Sequence, residues 1–127
     1  MRRWLVAGVA GIAALEAVTA AAARLAGFDY TSTWPLPVAF VIALGYVAAR
    51  ETGRARTGAA VGAPAGAADA IAAWLLGWAL RLPAGADGYD WSWLPVAVAA
   101  GAVFGTLEGA VGGWIGARRS RTRARTA

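Results

Sequence analysis

The chain has no cysteine, no histidine and no lysine. The first two absences exclude disulfide bonds and thiol catalysis and remove the usual ligands of zinc and haem. Charge is scarce as well: 15% of the residues are charged against 59% hydrophobic, and the mean hydropathy is positive. A soluble domain covers itself with roughly 25% charged residues. Much of this chain's surface must therefore face something other than water. Catalytic signatures are missing too. No Walker loop, dinucleotide fingerprint or Ser-His-Asp set occurs, and the glycine-rich residues 58–66 carry no lysine and lie in an apolar run. An enzyme would need a catalytic group that the sequence does not supply, so a non-enzymatic protein without cofactor or metal is expected.

What the chain does have is four apolar runs, at residues 4–26, 34–50, 59–82 and 93–117. Each approaches the length of about 20 apolar residues that a membrane-crossing helix needs. The second starts on Pro35 and Pro37, which a helix accepts in its first turn. The expected fold is all-α: a polytopic membrane protein with four transmembrane helices in one domain, residues 1–117, followed by a basic tail at 118–127.

All 12 basic residues are arginines, and the net charge is +5. Arg2 and Arg3, then Arg50, Arg54 and Arg56, then Arg118, Arg119, Arg121, Arg123 and Arg125 all fall on one side of a four-span bundle. Arginine-rich short loops are retained in the cytoplasm, so a multi-pass protein of the cell membrane with both termini cytoplasmic is expected. The opposite loops, near 27–33 and 83–92, carry Asp29, Asp87 and Asp90 with Phe28, Tyr30, Trp34, Tyr89, Trp91 and Trp93. These aromatics fit an interfacial belt, with Trp4 and Trp114 marking the inner interface. Residues 1–23 also carry features of a cleaved signal peptide, in Arg2-Arg3, an apolar run and Ala21-Ala22-Ala23. Glu16 inside that run and the three further spans favour a retained first helix.

Two words recur. Asp29-Tyr30-Thr31, Trp34 and Leu36-Pro37-Val38-Ala39 match Asp90-Trp91-Ser92-Trp93-Leu94-Pro95-Val96-Ala97, allowing a three-residue gap. A duplicated helical hairpin, with parallel copies, would produce this pattern. Chance similarity in an alanine-rich chain would too.

Glycines recur at four-residue intervals as Gly58, Gly62 and Gly66, and again as Gly101, Gly105, Gly109 and Gly113, with Gly112 and Gly116 beside the second series. Residues four apart share a helix face, and glycine there lets two backbones approach. Packing within one bundle is the expected use. Because small residues occupy more than one side of the fourth span, a homo-oligomer contact is a second use open to them.

Three acids lie inside the spans: Glu16 near the middle of the first, Asp69 in the middle or inner half of the third, and Glu108 in the inner half of the fourth. An acid at the bilayer centre costs about 2.5–3.5 kcal/mol on insertion scales, so each should face the bundle interior or water. No arginine lies at their depth. They are candidates either for hydrogen bonding between helices or for a proton or cation relay, with Thr19 and Thr106 as the nearby hydroxyls. The tail arginines 118, 119, 121, 123 and 125 should lie on anionic lipid headgroups, each contributing about 1 kcal/mol. No aromatics interleave them to stack bases, so no nucleic-acid partner is expected.

The words Gly45-Tyr46-Val47-Ala48-Ala49-Arg50, Gly62-Ala63-Pro64-Ala65-Gly66 and Gly112-Gly113-Trp114-Ile115-Gly116-Ala117-Arg118-Arg119 resemble the small, glycine- and alanine-rich four-helix membrane proteins of prokaryotes. That group implies no activity. Over the first third of the chain, Gly11 to Glu16, Thr19 and Trp34-Pro35 resemble the first helix and loop of the small multidrug resistance transporter family. This resemblance implies that Glu16 binds protons and cationic substrates alternately. A structural or accessory membrane protein is thus the first expectation, and a proton-coupled exporter of small organic cations the alternative.

Overall fold

The computed structural model describes residues 1–82 and 89–126, with side chains through residue 120. It is all-α. Helices α1 (Arg2–Ala26), α2 (Pro35–Thr52), α3 (Ala55–Ala79) and α4 (Leu94–Thr126) are each long and apolar enough to cross a membrane. The described residues form no strand.

Local chemistry sets the helix ends. Gly27 (φ 72°) and Gly53 (φ 68°) close α1 and α2 in the left-handed conformation that glycine adopts without a Cβ penalty. α3 closes with the same geometry on a non-glycine residue. Leu80 N–H donates to the Leu76 carbonyl at 2.8 Å, Leu82 N–H reaches back to the Gly77 carbonyl at 2.9 Å, and Arg81 between them takes φ 52°. Leu82 is buried against Ala20 and Ala23, and this apolar contact holds the strained turn.

Two boundaries therefore differ from expectation. The third helix runs over Ala55–Ala79 rather than 59–82, because the chain re-enters a helix directly after Gly53 and Arg54 and stops at the Arg81 turn. That shift carries Asp69 just past the midpoint of α3, toward its C-terminal end. The fourth helix does not stop where the basic tail was expected to begin. It continues through Thr126, since no glycine or proline follows Gly116 and arginine propagates a helix well.

The repeated word folds alike in both places. Asp29 and Asp90 each cap a 3-10 turn, Tyr30–Thr33 and Trp91–Trp93, by accepting the backbone N–H of Thr31 or Ser92 at 2.9 Å. Each turn then runs into a helix with proline in its first turn, α2 or α4. The hairpins around the two words are not alike, because α3 and α4 pack backbone to backbone along much of their length while α1 and α2 meet through side chains.

Glycine explains the difference. A Cβ at Gly62 would collide with the Gly105 carbonyl oxygen, one at Gly66 with that of Gly101, and one at Gly58 would lie 2.7 Å from the Gly113 Cα. The two four-residue series thus face one another across an antiparallel α3–α4 seam, where backbone meets backbone. Gly112 and Gly116 press on the Ile42 and Tyr46 carbonyls of α2, and Gly45 presses on Gly109. Both glycine-bearing faces of α4 therefore meet backbone within the chain.

α2 and α3 lie between α4 on one side and α1 on the other, and α1 does not pack against α4 among the described residues. The core of Ile12, Val41, Leu44, Ala48, Val61 and Ala65 ties α1 to the central pair. The free side of α4 presents Val103, Leu107, Val111 and Trp114 outward, as a lipid-facing surface requires. At the arginine-bearing end, the Arg3 guanidinium lies 5.4 Å from the Trp4 ring and that of Arg118 3.7 Å from the Trp114 ring. Arg3 also pairs with Glu51.

Candidate functional site

Glu16 sits on the buried stripe of α1 that runs through Gly8, Ile12, Thr19, Ala20 and Ala23, spaced three or four residues apart. Its side chain is 3% exposed. Asp69 of α3 meets it within hydrogen-bonding reach. A hydrogen bond between two carboxyl groups requires a proton on one of them, so this contact is a place where a proton can reside. Glu108 approaches from α4, close enough to Asp69 to feel its charge. The three intramembrane acids come from three different helices and line a single cavity of about 580 Å³.

The rest of the lining is mostly apolar and aromatic. α2 contributes Pro37, Val38 and Val41; α3 adds Gly66 and Ala73; α4 adds Gly101, Phe104 and Gly105. The turn after α1 supplies Tyr30, Thr31, Thr33 and Trp34. Among the described residues, no arginine lines the cavity. Among the described residues, one oxygen of Asp69, Oδ1, is buried with no hydrogen-bond partner, as is the indole nitrogen of Trp74. Three carboxyls and no basic group give the cavity an electrostatic preference for cations. Among the described residues, no three acids are grouped closely enough to hold a metal ion.

Several positions depart from expectation. Tyr30 does not join the interfacial belt. It turns inward and donates its hydroxyl to Glu16 Oε2. Tyr89 also folds back, packing edge-on against Trp74 at 5.9 Å between centroids, and burial pushes its phenol up from the ordinary value of 10.0. Trp34 and Trp93 remain well exposed, as a belt requires. The hydroxyls of Thr19 and Thr106 do not form a polar path. Thr19 donates to the Leu15 carbonyl at 3.0 Å and to that of Glu16 at 3.1 Å, while Thr106 donates to the Ala102 carbonyl at 2.7 Å.

A second cavity opens at the arginine-bearing end between Thr52, Arg54, Arg56, Thr57 and Ala60, with Met1 at its edge. Arg118 and Arg119 are exposed at that end. The side chains of Arg121, Arg123 and Arg125, and Asp87 of the 83–92 loop, lie outside the described residues. Comparison with protein-family models, with curated proteins and with solved structures finds no match for the chain.

Proposed function

We propose that the protein is a proton-coupled carrier of small organic cations in the cell membrane, with both termini cytoplasmic and the basic end resting on anionic lipid headgroups. One observation carries this: Glu16, Asp69 and Glu108 converge from three helices on one cavity that, among the described residues, no arginine lines. Acids retained only as interhelical hydrogen-bonding groups would be expected to close onto their partners and leave little void. Here they border a space of about 580 Å³, within the roughly 300–1,000 Å³ typical of small-molecule sites. Trp34, Phe104 and Tyr30 supply aromatic surface of the kind that attracts organic cations. The likeness of the first span to small multidrug resistance transporters points the same way.

Coupling would arise through charge balance. A proton shared between the neighbouring Glu16 and Asp69 carboxyls would compete with a bound cation for the same negative charge, so binding of one would favour loss of the other. A purely structural role is the second reading. The Glu16–Asp69 contact favours it, because it adds a polar tie to the apolar packing of α1 on α3.

Ligand-induced proton release separates the two. Purified wild-type protein titrated with tetraphenylphosphonium and related lipophilic cations near neutral pH should release protons. Glu16→Gln, which keeps the shape of the side chain but cannot ionise, should fold equally well and release markedly fewer. Absence of release from wild type across the panel would leave the acids with the structural role.

A further inference from the structure

We propose that Tyr30 is the latch of the acid-lined cavity: its bond to Glu16 holds the 30–33 turn across the cavity's mouth, and the cavity opens to that side when the bond is released. This rests on the cavity being the functional site. The turn that carries Tyr30 is internally braced. The Asp29 carboxylate accepts from the Thr31 N–H at 2.9 Å and from the Thr31 hydroxyl at 2.8 Å, and the Ser32 and Thr33 hydroxyls donate to the carbonyls of Asp29 and Tyr30 at 2.6 and 2.7 Å. A braced turn moves as a unit, and Gly27 in its left-handed conformation stands as a hinge between it and α1.

Among the described residues, the Tyr30 hydroxyl makes the one side-chain hydrogen bond from this turn into the helices. Its ring rests against the small apolar cluster of Ala20, Ala23 and Leu82, a contact that a phenylalanine would keep. The acceptor is one of the acids of the site. Glu16 is faced by Tyr30 from the turn and by Asp69 from α3, and Glu108 lines the same cavity. A cation seated on Glu16 draws on the same carboxylate oxygens that hold the phenol. Occupancy therefore weakens the latch and opens the cavity toward the end from which the turn hangs.

The absence of native cysteine makes the test clean. A single cysteine at Ala73, on the cavity wall, is reacted with a membrane-impermeant maleimide applied from the side of the 30–33 turn. Labelling should be slow in the otherwise wild-type chain and up to about tenfold faster with Tyr30→Phe, as expected for loss of one ordinary intramolecular hydrogen bond. Glu16→Gln, whose amide oxygen can accept the same bond, should stay slow. Glu16→Ala should match Tyr30→Phe, and combining the two should add nothing further. A control cysteine at Ala60, in the cavity at the other end and labelled from that side, should react at one rate in every variant, which excludes general loosening. Equal labelling at position 73 with and without the Tyr30 hydroxyl overturns the latch, and Glu16→Ala supplies the same comparison should Tyr30→Phe fold poorly. Protection of that cysteine by tetraphenylphosphonium without any latch effect overturns the latch alone. A latch effect with neither protection nor proton release retains the latch and overturns the cation reading.

Discussion

Asp90 accepts hydrogen bonds from the backbone N–H of Ser92, at 2.9 Å, and from its hydroxyl, and these bonds hold its carboxyl below the ordinary Asp value of 3.8. A value lower in the folded than in the unfolded state means that the turn's stabilisation is complete at neutral pH. It is lost as the pH falls through the range below 3.8. The Ser92 amide should therefore lose hydrogen-exchange protection on acidification, after correction for intrinsic rates. Asp90→Asn, which keeps the acceptor but cannot titrate, should show no such loss; a pH response that survives this change would locate the titration elsewhere. The acids of the cavity were legible in the sequence, since a charge inside an apolar run is conspicuous. Tyr30 was not. An aromatic beside an aspartate in a loop reads as an interfacial ring, and only the capped 3-10 turn sets its direction. Thr19 and Thr106, the hydroxyls nearest the acids in sequence, add no polar path, because a helical hydroxyl can satisfy itself on the carbonyl one turn back.

The α3–α4 seam makes a prediction at the level of the element. A Cβ at Gly105 would already lie 2.9 Å from the Gly66 Cα, so Gly105→Leu forces the two backbones apart. Overpacking of this kind costs on the order of 1–3 kcal/mol. Val103→Leu, at a position 60% exposed on the lipid side of the same helix, should be close to neutral. Thermal aggregation in mild detergent is the measurement, and equal midpoints for the two variants would deny the seam its role. The four-residue spacing made these stripes readable as packing faces, because period and face are linked by helix geometry alone. The end of α3 was hidden for a local reason. A left-handed closing residue is ordinarily glycine, and here it is Arg81, which carries no such mark in the sequence.

For the whole molecule, the arginine distribution predicts reporter fusions at residues 53 and 127 on the cytoplasmic side and at 30 and 88 outside. A cytoplasmic signal at 88 would break the four-span topology. The number of helices was legible from run length. Which helix lies against which was not, since apolar runs do not name their neighbours, and the separation of α1 from α4 follows from glycines that weld α4 to α2 and α3 instead. That separation has a consequence for biosynthesis. The ribosome makes α1 first, yet the acid that meets Glu16 is Asp69, about fifty residues later in the chain. At roughly 5–20 residues per second, that interval is on the order of 3–10 s. Throughout it, the nascent first helix holds a carboxyl with no permanent helical partner. Until α3 arrives, Tyr30, fourteen residues further on, is the partner that can already reach it.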